Sequence, residues 1–277
     1  MKHLIRMFFV VSILSSAGIC IAADTPGDPL VKTLMRASGL DRQIEQLPAL
    51  VQMGISAQQQ ETQHLPADEY KRILALAKAS FDATTMKNDV AGHIKANMSG
   101  KDITAALGWL ESPLGRKITA LEESASTPEA YAEMHSMGPK LIKDYEGTSR
   151  LGKISRFDQA TLATDRAVNL AADVQLALLT ALSASMTEGI RPSYADLQEA
   201  VRKMKAELRK PMAELTALQF MYTYRTLTES EIDQYIAFAD SDAGKRYHRV
   251  TYAAVHDAVT RSARKFGARL GVKMEKV

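Results

Sequence analysis

Residues 99–117 have the sequence SGKDITAALGWLESPLGRK, and residues 228–246 have the sequence TESEIDQYIAFADSDAGKR. The two stretches align without a gap. Each begins with a hydroxyl side chain followed three residues later by an acidic one, which is the pattern of a helix capping box. Apolar residues at helical spacing, an aromatic residue, an acid, a serine, a glycine and two basic residues follow in the same order. The matched pairs are Ile103 and Ile232, Leu107 and Ile236, Trp109 and Phe238, Glu111 and Asp240, Ser112 and Ser241, Gly115 and Gly244, Arg116 and Lys245, and Lys117 and Arg246.

The repeat predicts a two-helix corner that occurs twice in the chain. In each corner the first helix buries its aliphatic and aromatic residues, and the serine caps the second helix. A glycine inside a helix costs roughly 1 kcal/mol relative to alanine. Two glycines at matched positions, Gly115 and Gly244, therefore indicate that a neighbouring backbone or ring comes close. We expect Trp109 and Phe238 to be the packing partners.

The same corners are candidates for binding an anion or a partner. A serine hydroxyl, free N–H groups at a helix N-terminus, a glycine and adjacent basic residues are groups that can hold a phosphate or a carboxylate. The alternative is an ordinary packing corner, in which the basic residues lie in solvent or pair with Glu111 and Asp240. The candidate binding residues are Ser112, Gly115, Arg116, Lys117, Ser241, Gly244, Lys245 and Arg246.

The first corner resembles a known family. An aromatic residue, then Ser-Pro-x-Gly and basic residues after a helix with an acidic end, is similar to the exported bacterial family catalogued as domain of unknown function 2059. The resemblance covers residues 99–125, and more loosely 228–255, where Asp242 stands in place of the expected proline. It implies an all-helical periplasmic protein. It implies no established activity, and so no catalytic residues.

The rest of the sequence is also typical of helices. Long stretches are rich in Ala, Leu, Met, Lys, Glu and Gln, the strong helix formers, and alternating strand patterns are nearly absent. We predict an all-α, multi-helix bundle of two related halves, an N-terminal half over 24–147 and a C-terminal half over 156–271. The stretch 156–186 is predicted as one long helix that is too apolar to stand alone, so the halves should pack together as one unit.

The N-terminus has the features of a secretory signal peptide. Lys2 and Arg6 precede an apolar run that ends in small residues, and cleavage after Ala22 would remove residues 1–22. This predicts a periplasmic protein without a transmembrane segment after signal removal, because no second apolar run is long enough. A membrane anchor is the alternative. Lipid attachment at Cys20, the only cysteine, is disfavoured because a bulky isoleucine precedes it.

The sequence contains no motif that indicates an enzyme, a metal site or a cofactor. The 35 basic and 32 acidic residues nearly balance, whereas a nucleic-acid-binding protein usually carries a strongly basic patch. His248 and His256 lack the spacing of a helical zinc site, and the methionines around His135 are more typical of core packing than of copper binding. Carboxylate pairs such as Glu122 and Glu123 are expected on the solvated surface. Catalysis would need a cleft in which His248 or His256 meets a carboxylate.

The preferred hypothesis is a non-enzymatic protein that acts by binding an unknown protein partner or by self-association. Paired helical halves, balanced charge and missing catalytic motifs favour it. The alternative is a carrier of a small apolar or amphipathic ligand held between the two halves. The apolar and aromatic stretch 219–224 fits both hypotheses, either as a central core helix or as the wall of a ligand cavity.

Overall fold

The computed structural model describes residues 28–62, 66–184, 186 and 191–274. The predicted signal peptide and Cys20 lie outside the described residues. Within them, every regular element is an α-helix, which confirms the predicted all-α class. The helices are, in chain order, α1 (Pro29–Ala37), α2 (Leu40–Thr62), α3 (Ala67–Ser80), α4 (Ala83–Asn97), α5 (Gly100–Leu110), α6 (Pro113–Ser124), α7 (Pro128–Tyr145), α8 (Ser149–Thr161), α9 (Ala163–Ser183), α10 (Tyr194–Thr223), α11 (Glu229–Asp240) and α12 (Asp242–Met274).

Side-chain caps explain where several helices begin. The Ser99 hydroxyl accepts a hydrogen bond from the backbone N–H of Asp102, and the Asp102 carboxylate accepts one from the backbone N–H of Ser99. Thr228 and Glu231 form the same reciprocal pair at the start of α11. Both predicted caps are confirmed. Each such cap stabilises a helix by about 1 kcal/mol, so the repeated sequence fixes the start of α5 and α11 locally.

Helix α12 forms the centre of the bundle. It packs along α9 and also against α3, α4, α5 and α11. Phe266 of α12 is fully buried and meets Phe81 edge to face, with ring centroids 6.3 Å apart. Gly267 lets α12 approach α9 closely, since a Cβ atom there would lie 2.6 Å from the carbonyl oxygen of Leu178. Elements from both ends of the chain therefore share one core.

The predicted single helix over 156–186 is wrong in one respect, because the structure divides it at Leu162. This residue has a φ of 54°, a left-handed conformation that L-residues with large side chains rarely adopt, and it separates α8 from α9. The Asp158 carboxylate accepts hydrogen bonds from the backbone N–H of Thr164 at 2.7 Å and from its hydroxyl at 2.8 Å. These bonds cap the first turn of α9 and stabilise the break.

The boundary between the two predicted halves falls in a short turn followed by a helix. Gly147 has a φ of 69° in this turn, and residues 149–155 already belong to α8. Helix α12 of the C-terminal part packs on α3, α4 and α5 of the N-terminal part, so the interior is continuous across the boundary. The division into two related halves stays a prediction. Among the described residues, no helix combines the length and the apolar character needed to cross a membrane.

Candidate functional site

The two corners pack against each other through their aromatic residues. Trp109 of α5 and Phe238 of α11 stack with ring centroids 4.8 Å apart and planes 8° apart. The Tyr235 ring also stacks on Trp109, with the two ring centroids 6.0 Å apart. Stacked aromatic pairs add roughly 0.5–1.5 kcal/mol beyond the burial of their area. The matched aromatic positions of the repeat therefore meet at the interface between its two copies.

Two ion pairs cross this interface in a reciprocal way. Lys117 Nζ lies 2.6 Å from Glu231 Oε1, and Arg246 Nε lies 3.3 Å from Asp102 Oδ1. Lys117 and Arg246 occupy matched positions of the repeat, and so do Asp102 and Glu231. Each basic residue thus binds the capping acid of the other corner. Equivalent contacts exchanged in both directions are the hallmark of a two-fold relation between two like units.

The matched glycines stand where the polypeptide turns back on itself. A Cβ atom at Gly115 would overlap the carbonyl oxygen of Trp109, and one at Gly244 would overlap that of Phe238. The close approach therefore comes from the backbone of the aromatic residue and not from its ring. The hydroxyls of Ser112 and Ser241 accept hydrogen bonds from the N–H groups of these glycines, at 3.0 and 3.1 Å.

The predicted anion or partner site at the corners stays a prediction. Its serine hydroxyls and the glycine N–H groups already bind each other, and two of its four basic residues form the reciprocal ion pairs. The other two, Arg116 and Lys245, are exposed. Asp240, one of the acids considered as a partner for the corner's own basic residues, instead pairs with Arg156 at 2.5 Å.

A cavity of about 160 Å³ lies beside the paired corners. Side chains from α2, α6, α8, α9, α10, α11 and α12 line it, and they come from both predicted halves. Tyr235 connects the two regions, because its ring packs on Trp109 while it also lines the cavity. Phe157 forms an aromatic wall, with its ring centroid 4.5 Å from Tyr235 and 4.9 Å from Phe220.

A carboxyl group and two tyrosines form one group of polar side chains in the cavity. Glu122 Oε1 accepts hydrogen bonds from the hydroxyls of Tyr224 and Tyr235, each at 2.7 Å. Burial raises the pKa of Glu122 to about 7, although the two tyrosine hydrogen bonds act in the opposite direction. Glu122 therefore carries its proton in mildly acidic solution, where a solvated glutamate is ionised.

An arginine and a histidine form a second group of polar side chains. The Arg166 guanidinium lies over the ring of Tyr252, 5.2 Å from its centroid, and the Tyr252 hydroxyl donates to the Arg166 backbone carbonyl at 2.9 Å. Burial lowers the pKa of Arg166. Burial also lowers the pKa of His248 to about 3, and the charge of Arg166 acts in the same direction. His248 is therefore neutral.

The imidazole of His248 has an unsatisfied nitrogen. Its Nε2 is closed off from solvent and has no hydrogen-bond partner among the described residues. Several other buried polar atoms are also unsatisfied, but His248 is the one such residue, in the part of the chain that the structure describes, that lines the cavity. An unsatisfied buried polar atom costs about 1–3 kcal/mol, so it requires an explanation in a native fold.

The two histidines considered for catalysis occupy different places. His256 Nε2 lies 2.9 Å from Asp173 Oδ2, and this hydrogen bond raises the pKa of His256, but His256 does not line the cavity. His248 lines the cavity and meets no carboxylate among the described residues. His248 and Glu122 line the same cavity, but among the described residues no carboxylate lies within hydrogen-bond distance of His248 Nε2, so the histidine–carboxylate contact that catalysis would need is not formed there.

Sequence reasoning placed one cavity residue wrongly. Glu122 and Glu123 were expected on the solvated surface, but Glu122 lines the cavity and Glu123 pairs with Arg42 at 2.9 Å, with 13% of its side chain exposed. The stretch 219–224 is buried and also supplies cavity wall, for example through Phe220. The core interpretation is therefore confirmed, and the binding of a ligand in the cavity stays a prediction. Arg166 was not singled out, since a single arginine on a helical stretch gives no signal of its own.

Comparisons with known proteins add no functional information to this geometry. The resemblance of residues 99–125 to an exported bacterial family stays a prediction that rests on the corner motif alone. The site must therefore be interpreted from its own residues. No family model, no curated protein and no solved structure matches the chain.

Proposed function

We propose that this chain is an exported, periplasmic protein that binds a small amphipathic ligand in the cavity beside its paired corners. The observation that carries the proposal is the lining of that cavity, which includes Arg166, without an ion-pair partner among the described residues, and His248, whose Nε2 is unsatisfied. A ligand that bonds this nitrogen would remove the cost of leaving it unpaired. The corner motif supports the periplasmic location through its resemblance to an exported family.

The composition of the cavity supports a binding role over a packing defect. An empty cavity without function is usually apolar, whereas ligand sites combine apolar walls with a few convergent polar groups. Here Phe157 and Phe220 supply apolar wall, and Glu122, Arg166 and His248 supply polar groups. The volume of about 160 Å³ is close to that of an apolar cavity of roughly 150 Å³ that accepts benzene. The cavity is therefore large enough for one ring.

Binding of a protein partner, or self-association, remains a second prediction from the sequence. The large apolar side chains that are exposed lie at separate places along the chain. They are Leu30, Ile142, Leu151, Leu162 and Tyr194. Among the described residues, these side chains do not form one continuous stretch of sequence, whereas the cavity residues converge from several helices.

A bulky substitution inside the cavity tests the proposal. Ala167 is buried and lines the cavity, so Ala167→Phe fills the space with a ring. Ala206→Phe adds the same ring at an exposed position of α10 and serves as the matched control. Organic extraction and mass spectrometry of the purified proteins should detect a small molecule with the wild type and with the control, and none with Ala167→Phe. Equal ligand content in all three proteins would refute the proposal.

A further inference from the structure

Arg166 lines the cavity, and its positive charge has no counter-charge among the described residues. Among the described residues, no carboxylate forms an ion pair with Arg166, whose described partner is the ring of Tyr252. Arg166 is half-buried, and withdrawing a charged group from water without a counter-charge costs free energy, so charges in protein interiors are usually paired. A cation–π contact offsets part of that cost. It does not replace an anion.

Glu122 does not supply the missing negative charge. Its hydrogen bonds go to Tyr224 and Tyr235, and its carboxyl keeps the proton up to a pH of about 7. The cavity lining thus contains two kinds of polar group. One is a protonated carboxyl group that is hydrogen-bonded to two tyrosines, and the other is an arginine without an ion-pair partner among the described residues. Because Glu122 is neutral and Arg166 is charged, the cavity lining carries a net positive charge in mildly acidic solution.

His248 adds a second group that suits an anionic ligand. Its charge state responds to Arg166, which places the imidazole within the electrostatic reach of the guanidinium. The imidazole is neutral, and its Nε2 is unsatisfied. In the Nε2–H tautomer this nitrogen is a hydrogen-bond donor. A carboxylate accepts hydrogen bonds and offers none, and its oxygens can bind a planar guanidinium in parallel.

We propose that the ligand is a small organic carboxylate whose anionic group binds Arg166 and His248, while its body, about the size of one ring, packs against Phe157 and Phe220. This inference rests on the proposed function and adds the chemical class of the ligand to it. Glu122 and its tyrosines then face the remainder of the cavity. They provide hydrogen-bonding groups for a polar substituent on that body.

The test compares three probes of the same size on the wild-type protein. Calorimetric titration at about pH 6 uses benzoate, benzyl alcohol and benzylammonium, which are an anion, a neutral molecule and a cation. Benzoate should bind at least about tenfold more tightly than the alcohol, the ratio expected for one hydrogen-bonded charge, and benzylammonium should bind most weakly. Tighter binding of the alcohol or of benzylammonium would overturn the carboxylate class and leave the cavity function standing. No binding of any probe would overturn both.

A variant then locates the anion. Arg166→Gln should weaken benzoate binding by about tenfold and change benzyl alcohol binding by less than about twofold. Arg249→Gln removes an exposed arginine beside His248 and should change neither. Circular dichroism and thermal unfolding establish that each variant is folded, and the three-probe comparison on the wild type needs no variant. Unchanged benzoate affinity in folded Arg166→Gln would refute the assignment of the anion to Arg166.

Discussion

The paired corners and the cavity lie side by side, but the polar groups of the corners are paired with one another, whereas those of the cavity are not all paired. At the corners, each serine hydroxyl binds a glycine N–H, each capping acid binds a basic residue, and the rings of Trp109 and Phe238 stack between them. In the cavity, Arg166 lacks an anion and His248 Nε2 lacks a partner among the described residues. Tyr235 belongs to both regions.

This difference separates a region that holds the fold from one suited to binding. A region whose hydrogen-bonding and charged groups pair with one another contributes to stability, and few of its groups remain free to bind a ligand. A region with unsatisfied groups gives up stability that a ligand can restore. Substitutions at the corners should therefore change the free energy of unfolding, whereas substitutions at Arg166 should change ligand affinity more than stability.

The largest expected effect tests the corners through their glycines. Gly244→Ala places a Cβ atom on the carbonyl oxygen of Phe238, where nothing but a backbone shift can relieve the overlap. We expect a loss of at least about 3 kcal/mol in the free energy of unfolding, measured by urea denaturation. Gly108→Ala is the matched control, because no atom lies within 4 Å of its Cβ position. It should stabilise α5 by roughly 0.5–1 kcal/mol. Similar effects of the two substitutions would refute the packing role.

The next effect compares Glu122 in the cavity with the partly exposed capping acids of the corners. The native pKa of Glu122 is about 7, raised by burial from 4.5, so the native state binds more protons than the unfolded state between these values. Stability from this group is full below about pH 4.5 and is lost as pH rises through about 7, by about 3 kcal/mol in total.

The measurement for Glu122 is a difference between two proteins. Glu122→Gln keeps acceptor and donor groups for the tyrosines but cannot ionise, so the wild type should lose stability relative to the variant as pH rises from about 4 to 8. Glu231→Gln changes a partly exposed acid of the corner whose pKa is lowered by its hydrogen bond to Lys117. Its pH dependence should have the opposite sign, because the stability that Glu231 contributes is lost as pH falls below about 4.5. Parallel pH profiles for wild type and Glu122→Gln would show that Glu122 is not protonated in the native state.

A smaller effect concerns the aromatic stack. A double-mutant cycle with Trp109→Leu and Phe238→Leu should give a coupling of about 1 kcal/mol, because the two rings are parallel and in contact. A cycle with Trp109→Leu and Phe81→Leu is the control, since the ring of Phe81 contacts Phe266. It should be additive to within about 0.5 kcal/mol. Equal couplings in both cycles would mean that the stack holds the corners no better than general core packing does.

The smallest effect concerns the reciprocal ion pairs. Lys117→Met and Arg246→Met should each cost less than about 1 kcal/mol, and less in high salt, because both basic side chains are more than 40% exposed. The two costs should be similar if the pairs are equivalent. Lys245→Met changes an exposed neighbour and should cost close to nothing. A loss above about 2 kcal/mol for one pair alone would argue against their equivalence.

The predictable part of the molecule is the part encoded by local spacing. The capping boxes at Ser99 and Thr228 depend on residues three positions apart, and the glycines three residues after Ser112 and Ser241 already indicate a close approach. The reciprocal ion pairs depend on how the corners dock, and so the sequence could not indicate Glu231 as the partner of Lys117. Local spacing alone cannot reveal a contact between distant segments.

The polar residues that line the cavity could not be predicted for the same reason. Glu122 and Glu123 look alike in the sequence, and only the packing of α6 on its neighbours decides that one meets tyrosines and the other meets Arg42. Arg166 and His248 lie on different helices, α9 and α12, and only the tertiary packing of these helices brings them near each other. The left-handed Leu162 was also unpredictable, because no glycine or asparagine marks it.

The most direct test of the account is a crystal structure of the protein with 4-bromobenzoate, with anomalous scattering used to locate the bromine. We expect one bromine site inside the cavity, with the carboxylate within hydrogen-bond distance of Arg166 and His248. The paired corners should be free of the probe, because Lys117 and Arg246 already hold their acidic partners. Bromine only at the corners or elsewhere on the surface, or an empty cavity at saturating probe, would contradict the account.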